Sequence, residues 1–108
     1  MLRSYQVALH DSLFPQAEDD LLALRAADRA KVLDTIEIHL TYEPTKESKS
    51  RIKRLQGYRR PQYRLRIDDI RAFYDVFYEE DDGAVEILAI REKAAAMQWL
   101  AEQGISDE

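Results

Sequence analysis

The sequence predicts an α+β domain in which helices cover one face of a mostly antiparallel β-sheet. Apolar and polar residues alternate near the N-terminus and again over most of the second half, which is typical of half-buried strands. Between these regions, apolar residues recur at steps of three and four, which is typical of amphipathic helices. The predicted order is therefore one strand, a helical pair, a three-stranded antiparallel meander and a C-terminal helix.

The N-terminal half supplies the first strand and the helical pair. Alternation from Tyr5 to His10 predicts a strand at about 3 to 9. Apolar stripes over 14–24 and 32–40 predict two helices, or one kinked helix, running to about residue 42. Pro44 ends the second stripe because proline disfavours helical geometry at the residue before it. The segment 51–56 is consistent with either a helical turn or the start of a strand.

The second half supplies the meander and the last helix. Alternating segments at 63–67 and 70–78, and an apolar segment at 84–90, predict three consecutive strands. Asp68-Asp69 and residues 79–83 are the natural turns between them. The alanine-rich segment from Lys93 to Gln103 predicts a helix that ends at Gly104.

Length and composition indicate one soluble domain spanning residues 1–108. The chain has 108 residues, 45% of them hydrophobic and 34% charged. It has no cysteine, which excludes disulfide scaffolds, thiolate zinc sites and cysteine nucleophiles. It has no apolar run long enough to cross a membrane and no secretory leader pattern, so we expect a cytoplasmic protein without a membrane partner. We expect no metal and no cofactor.

Charge is distributed unevenly along the chain. The formal net charge is −5, which as an average argues against general binding of nucleic acids. Residues 43–71, however, contain ten basic and four acidic side chains, a net charge of +6, and the remainder carries −11. This partition predicts a basic patch set in an acidic surround.

The predicted hairpin at Asp68-Asp69 would concentrate part of this charge. A two-residue turn places Arg66 opposite Arg71 and Arg64 opposite Phe73, so the three arginines share one face. Like charges placed opposite each other cost about 0.2–1 kcal/mol, a cost that a bound polyanion would relieve. Guanidinium groups bind phosphate through paired hydrogen bonds, and Phe73 would offer a base a stacking surface. The alternative is a solvated sheet face whose arginines pair with nearby carboxylates.

Three segments in this order resemble the RelE/ParE superfamily of toxin–antitoxin systems. They are Lys53-Arg54-Leu55-Gln56-Gly57, Tyr63 to Tyr74, and Val85 to Lys93. With the helical pair, the resemblance covers roughly residues 5 to 93. It implies a RelE-like fold and a toxin that enters the ribosomal A site and cleaves mRNA without a metal. The products would be a 2′,3′-cyclic phosphate and a 5′-hydroxyl.

The resemblance also implies partners and site residues. The implied partners are a cognate acidic antitoxin, the ribosome and mRNA, with DNA contacted only through the antitoxin complex. Arg66 is expected to stabilise charge rather than take a proton, because an arginine pKa lies above about 12. Two sets of residues follow, a catalytic set of Arg64, Arg66, Arg71 and Lys93 and an RNA-binding set of Lys53, Arg54, Arg59, Arg60, Phe73 and Trp99. His10 and His39 are assigned to structure.

Two other functions remain open at this point. A ParE-like inhibitor of DNA gyrase is consistent with arginines standing where ribosome-dependent cleavers often have lysines, and with Trp99 standing about where they have a tyrosine. A non-catalytic relative that binds only an antitoxin or an operator is consistent with the acidity outside residues 43–71.

Overall fold

The structure, a computed structural model, describes residues 4–79 and 82–107. These residues form the predicted α+β fold, with three helices and two β-sheets. In chain order the elements are β1 (Tyr5–Ala8), α1 (Ala17–Ala23), α2 (Ala26–Leu40), β2 (Ile52–Arg54), β3 (Tyr58–Arg60), β4 (Tyr63–Ile67), β5 (Ile70–Glu79), β6 (Asp82–Glu92), α3 (Lys93–Gln103) and β7 (Ile105–Ser106).

The larger sheet has the strand order β1-β6-β5-β4-β2, and strands β3 and β7 form the smaller one. The meander β4-β5-β6 is antiparallel, as predicted, whereas β1 pairs with β6 in parallel. The pairing of β2 with β4 shows that this segment is a strand rather than a helical turn. In the predicted turn at 79–83, residues 80 and 81 lie outside the described residues, as does residue 3 of the predicted first strand.

The β4-β5 hairpin has the predicted register. Arg66 lies opposite Arg71, and Arg64 lies opposite Phe73. The turn between the strands is Asp68-Asp69, with φ of 52° at Asp68. Aspartate tolerates this left-handed conformation better than most residues, which is why such a pair supports a tight hairpin.

Helices cover both faces of the large sheet, so the prediction that they cover one face is wrong. On one face, α1 and α2 contribute residues such as Leu21 and Ile36 to a core with Leu65. On the other face, α3 packs Trp99 against Phe73. Neighbouring residues of a strand point to opposite faces, so β5 alternates between the two cores and both must be covered.

The helical pair consists of two separate helices. Arg29 of α2 holds them together, because its guanidinium donates hydrogen bonds to the carbonyl oxygens of Leu22 at 3.1 Å and Leu24 at 2.9 Å. Leu24, between the helices, has an extended backbone with ψ of 153°. No helix within residues 4–79 and 82–107 is long and apolar enough to cross a membrane.

The last helix has the predicted bounds and the predicted end. The Gly104 N–H donates to the Leu100 carbonyl at 2.9 Å and closes the final turn. A Cβ at position 104 would lie 2.7 Å from the Tyr58 ring, so glycine allows β3 to approach. The chain then pairs β7 with β3, which ties the end of α3 to the body of the domain.

Candidate nucleic-acid interface

Three guanidinium groups meet on the face of the large sheet that α3 partly covers. Arg64 and Arg66 lie two residues apart on β4, and Arg71 lies opposite Arg66 on β5. Burial, and then the charges of Arg71 and Arg66, lowers the pKa of Arg64. Burial, and then the charge of Arg66, lowers the pKa of Arg71. The charge of Arg66 thus lowers the pKa of both other arginines, as expected for positive charges that lie close together.

Carboxylates offset the charge of this cluster only in part, because the charge of Asp69 acts on Arg71. Within residues 4–79 and 82–107, none of the three arginines forms an ion pair. Of the carboxylates that could pair with them, Asp68 binds Lys31 and Asp75 binds Arg60. The arrangement therefore differs from a solvated sheet face with its charges paired.

Arg71 is oriented by main-chain atoms. Arg71 is only 6% exposed to solvent. Its NH1 donates hydrogen bonds to the carbonyl oxygens of Asp68 at 2.7 Å and Ile70 at 3.0 Å. These carbonyls belong to the hairpin turn and to the first residue of β5, so the turn geometry positions the guanidinium. A group fixed by backbone loses little freedom when it binds a phosphate.

Arg64 has an unsatisfied donor. Its Nε is buried and has no hydrogen-bond partner within the described part of the chain. A buried donor without a partner costs about 1–3 kcal/mol, so an acceptor oxygen supplied by a ligand would relieve that cost. Lys53, which is exposed on β2, lies directly opposite Arg64 and so shares its face.

Lys93 lies at the same end of the sheet as the hairpin turn. Its main-chain N–H donates to the Asp69 carbonyl at 2.7 Å, and its side chain is exposed. It is also the first residue of α3, so the positive end of the helix dipole lies beside the turn. The structure therefore brings Lys93 to the end where Arg66 and Arg71 lie.

Arg91 extends the row of basic residues and is not among the predicted site residues. It lies opposite Arg71 on β6, which continues the row from Arg66 across three strands. Its guanidinium is held by the Asp20 carboxylate of α1 through contacts of 3.3 Å. The predicted turn at residues 79–83 does not imply that Arg91 pairs with Arg71, because β5 and β6 shift register between Phe73 and Tyr74.

The predicted stacking residues are not open to a base. Phe73 is 1% exposed and Trp99 is 3% exposed, and their rings stack on each other with centroids 5.3 Å apart. The prediction that they offer free surfaces to RNA is therefore wrong for this structure. The reason is that α3 covers the arginine face at Phe73 and uses the two rings as its core.

Arg60 is likewise held inside the domain rather than offered to a phosphate. Its guanidinium binds the carboxylates of Asp11 and Asp75, the latter at 2.6 Å, and lies over the Phe14 ring. Asp75 is fully buried, and burial raises its pKa although Arg60 opposes that change. Arg60 is thus a structural cation that compensates a buried carboxylate.

The other two predicted RNA ligands lie away from the three arginines. Arg54 is opposite Tyr63, so it is on the face of the helical pair, and it donates to the Gln62 carbonyl at 2.7 Å. Arg59 is exposed on β3 in the smaller sheet. Arg54 is the neighbour of Lys53, and alternation along β2 places it on the other side of the sheet from the three arginines.

A pair of carboxyl groups adjoins Arg60. A hydrogen bond with Asp11, together with burial, raises the pKa of Glu86 to about 7. Burial alone would raise the pKa of Asp11, but its hydrogen bonds with Glu86 and Arg60 lower it to about 2. The pair therefore shares a proton near neutral pH and links the loop after β1 to β6.

Comparison with known proteins identifies the fold. No family model and no curated protein matches the chain. Among solved structures, it is similar to a chain in the crystal structure of an archaeal RelE-RelB complex from Pyrococcus horikoshii OT3. The sequences are 27% identical, the TM-score is 0.62, and the match covers 83% of this chain and 96% of the other. The chain therefore has the RelE-like toxin fold, in agreement with its sequence resemblance to the RelE/ParE superfamily.

Proposed function

We propose that this protein is the toxin of a toxin–antitoxin pair and that it inhibits translation by cleaving mRNA on the ribosome. The RelE-like fold supports the first part. The second part depends on one observation, which is that Arg64, Arg66 and Arg71 converge without forming an ion pair in the described part of the chain. Such a cluster is suited to a phosphodiester, which carries the opposite charge.

The chemistry of cleavage assigns different tasks to these groups. Attack by a ribose 2′-hydroxyl on the adjacent phosphate builds negative charge on the phosphoryl oxygens, and fixed cations stabilise that charge. Arg71 is oriented by two carbonyl groups, which supports a role in binding the phosphate with its remaining N–H groups. Lys93 is the candidate donor of a proton to the departing 5′-oxygen, because its exposed ammonium lies at the same end of the sheet.

An acidic antitoxin is the expected partner. The similar archaeal chain was crystallised as a RelE-RelB complex, which supports a protein partner for this fold. Residues 43–71 carry a net charge of +6 in a chain of net charge −5, so a partner with acidic side chains would find its complement there. Co-purification with the product of a neighbouring small acidic gene tests this, and binding unaffected by charge reversal at Arg64 and Arg66 would place the interface elsewhere.

Mapped cleavage in cells tests the proposed activity. The protein is expressed from a tightly repressed promoter, and transcripts are analysed by primer extension with wild type, Arg71→Ala and Arg25→Ala. Arg25 is the matched control because it is an exposed arginine at the start of α2, on the other side of the sheet. We expect growth arrest and cuts within A-site codons for wild type and Arg25→Ala, and neither for Arg71→Ala.

Two results would contradict the proposal. Growth arrest with intact mRNA and accumulated gyrase-cleaved DNA would show a gyrase inhibitor. Growth without arrest, together with antitoxin binding, would show a non-catalytic relative.

A further inference from the structure

The arginine cluster lacks an obvious group that could take a proton. If the proposed function holds, cleavage requires removal of the 2′-hydroxyl proton, and a good base has a pKa near or below neutral. Arginine stays protonated, and lysine has an ordinary pKa of about 10.4. The two histidines lie elsewhere, since His39 is on α2 against the opposite face and His10 follows β1 at the far edge of the sheet. Among the ionisable side chains at this end of the sheet, a carboxylate is the one that is ordinarily unprotonated at neutral pH.

Topology narrows the choice among the carboxylates at this end of the sheet. Asp68 is bound by Lys31, and Asp20 is bound by Arg91. Glu92 lies opposite Ile70, which packs in the core beneath α1 and α2. Glu92 is therefore on that face of the sheet and not on the face of the three arginines. Asp69 is exposed in the turn, and its side chain has no ion pair within residues 4–79 and 82–107.

Asp69 is also held close to the groups that would bind the phosphate. Its carbonyl accepts the Lys93 N–H at 2.7 Å, which ties the turn to the first residue of α3. It lies two residues before Arg71 in the chain, and its negative charge opposes the lowering of the Arg71 pKa by burial and by Arg66. The preceding residue, Asp68, supplies the carbonyl that orients Arg71, so one short turn positions both groups.

We propose that the Asp69 carboxylate is the general base of the cleavage reaction. It takes the proton from the 2′-hydroxyl while O2′ forms a bond to phosphorus. The bond between phosphorus and O5′ breaks, and the leaving oxygen takes a proton from the Lys93 ammonium. The products are a 2′,3′-cyclic phosphate and a 5′-hydroxyl, and exchange with water returns both side chains to their starting charges.

Cleavage on programmed ribosomes in vitro tests this assignment, with Asp69→Asn, Asp69→Glu and Asp34→Asn compared with wild type. Asp34 is the matched control, an exposed aspartate of α2 on the other side of the sheet. We expect Asp69→Asn to lower the single-turnover rate by about 100-fold or more while ribosome binding changes less than threefold. Asp69→Glu should recover part of the rate, because it keeps the carboxylate. Asp34→Asn should cleave like wild type.

The pH profile separates a proton acceptor from a structural residue. The wild-type rate should depend on pH, and this dependence should be absent from Asp69→Asn. A wild-type rate in Asp69→Asn overturns the assignment of Asp69 and leaves the nuclease function intact. Equal losses of cleavage and ribosome binding also overturn it, because they indicate a binding or folding role. Absence of cleavage by the wild-type protein overturns the nuclease function and the base together.

Discussion

Replacing Arg66 with glutamine should make the protein more stable, because it removes one of three charges that repel one another. Arg66 faces Arg71 directly across the hairpin and has Arg64 two residues away on the same face. Two hydrogen bonds join the main-chain N–H and carbonyl of Arg66 to Arg51. Glutamine preserves both, because neither uses the Arg66 side chain. The substitution therefore isolates the charge.

The magnitude follows from the cross-strand pair. Like charges directly opposite each other cost about 0.2–1 kcal/mol. Arg66 is exposed and therefore screened by water, whereas Arg71 is only 6% exposed, so we expect a gain within that range at low salt. For a domain of this size, 1 kcal/mol corresponds to about 4 °C in Tm.

Urea denaturation at 0.05 M and 1 M NaCl measures the effect. Salt at 1 M shortens the screening length to about 3 Å, so the gain should largely disappear there. Arg59→Gln is the control, because this exposed arginine lies in the smaller sheet and should change stability little at either salt concentration. A loss of stability in Arg66→Gln, or a gain that persists in 1 M NaCl, would refute the repulsive cluster.

Three further predictions concern the surroundings of the cluster. Trp99→Ala should lower the free energy of unfolding by about 3–5 kcal/mol, because the Trp99 ring lies in the core and stacks on Phe73. Unchanged stability in urea would show that Trp99 is not a core residue. Arg60→Met should cost about 3–5 kcal/mol, since it leaves Asp75 buried without its cation; stability equal to that of wild type would show that the pair is dispensable. The pKa of Glu86 is raised from 4.5 to about 7, so the folded chain keeps a proton that the unfolded chain releases. The stability of wild type relative to Glu86→Gln should therefore fall as pH rises from about 5 to 8, and parallel pH profiles would contradict the shared proton.

Local patterns were sufficient to predict most of the fold. The alternation on both sides of Asp68-Asp69, with a two-residue turn, determines which residues of β4 and β5 face each other, and the structure has that register. Strands β3 and β7 were not predicted, because three and two residues are too short to show a period. Their pairing also joins segments far apart in the chain, which local patterns do not encode.

The candidate site was predicted where it depends on neighbouring strands and missed where it depends on tertiary packing. Alternation placed Arg64, Arg66 and Arg71 on one face without reference to the rest of the domain. Whether the Phe73 ring is accessible to a base depends on which face of the sheet α3 covers, and tertiary packing determines that face. The ion pairs of Arg60 span 49 and 15 positions of sequence, so its structural role was not visible in the chain.

Arginine side-chain NMR tests whether the cluster binds an RNA backbone. The protein is titrated with a short RNA methylated at its 2′-hydroxyls, which cannot be cleaved, while the Nε–H signals of all arginines are followed. The signals of Arg64, Arg66 and Arg71 should shift together and saturate at one concentration, while those of Arg25 and Arg29 on the helical pair stay in place. Shifts confined to other arginines, or none at RNA concentrations that saturate binding, would contradict a phosphate site on this face of the sheet.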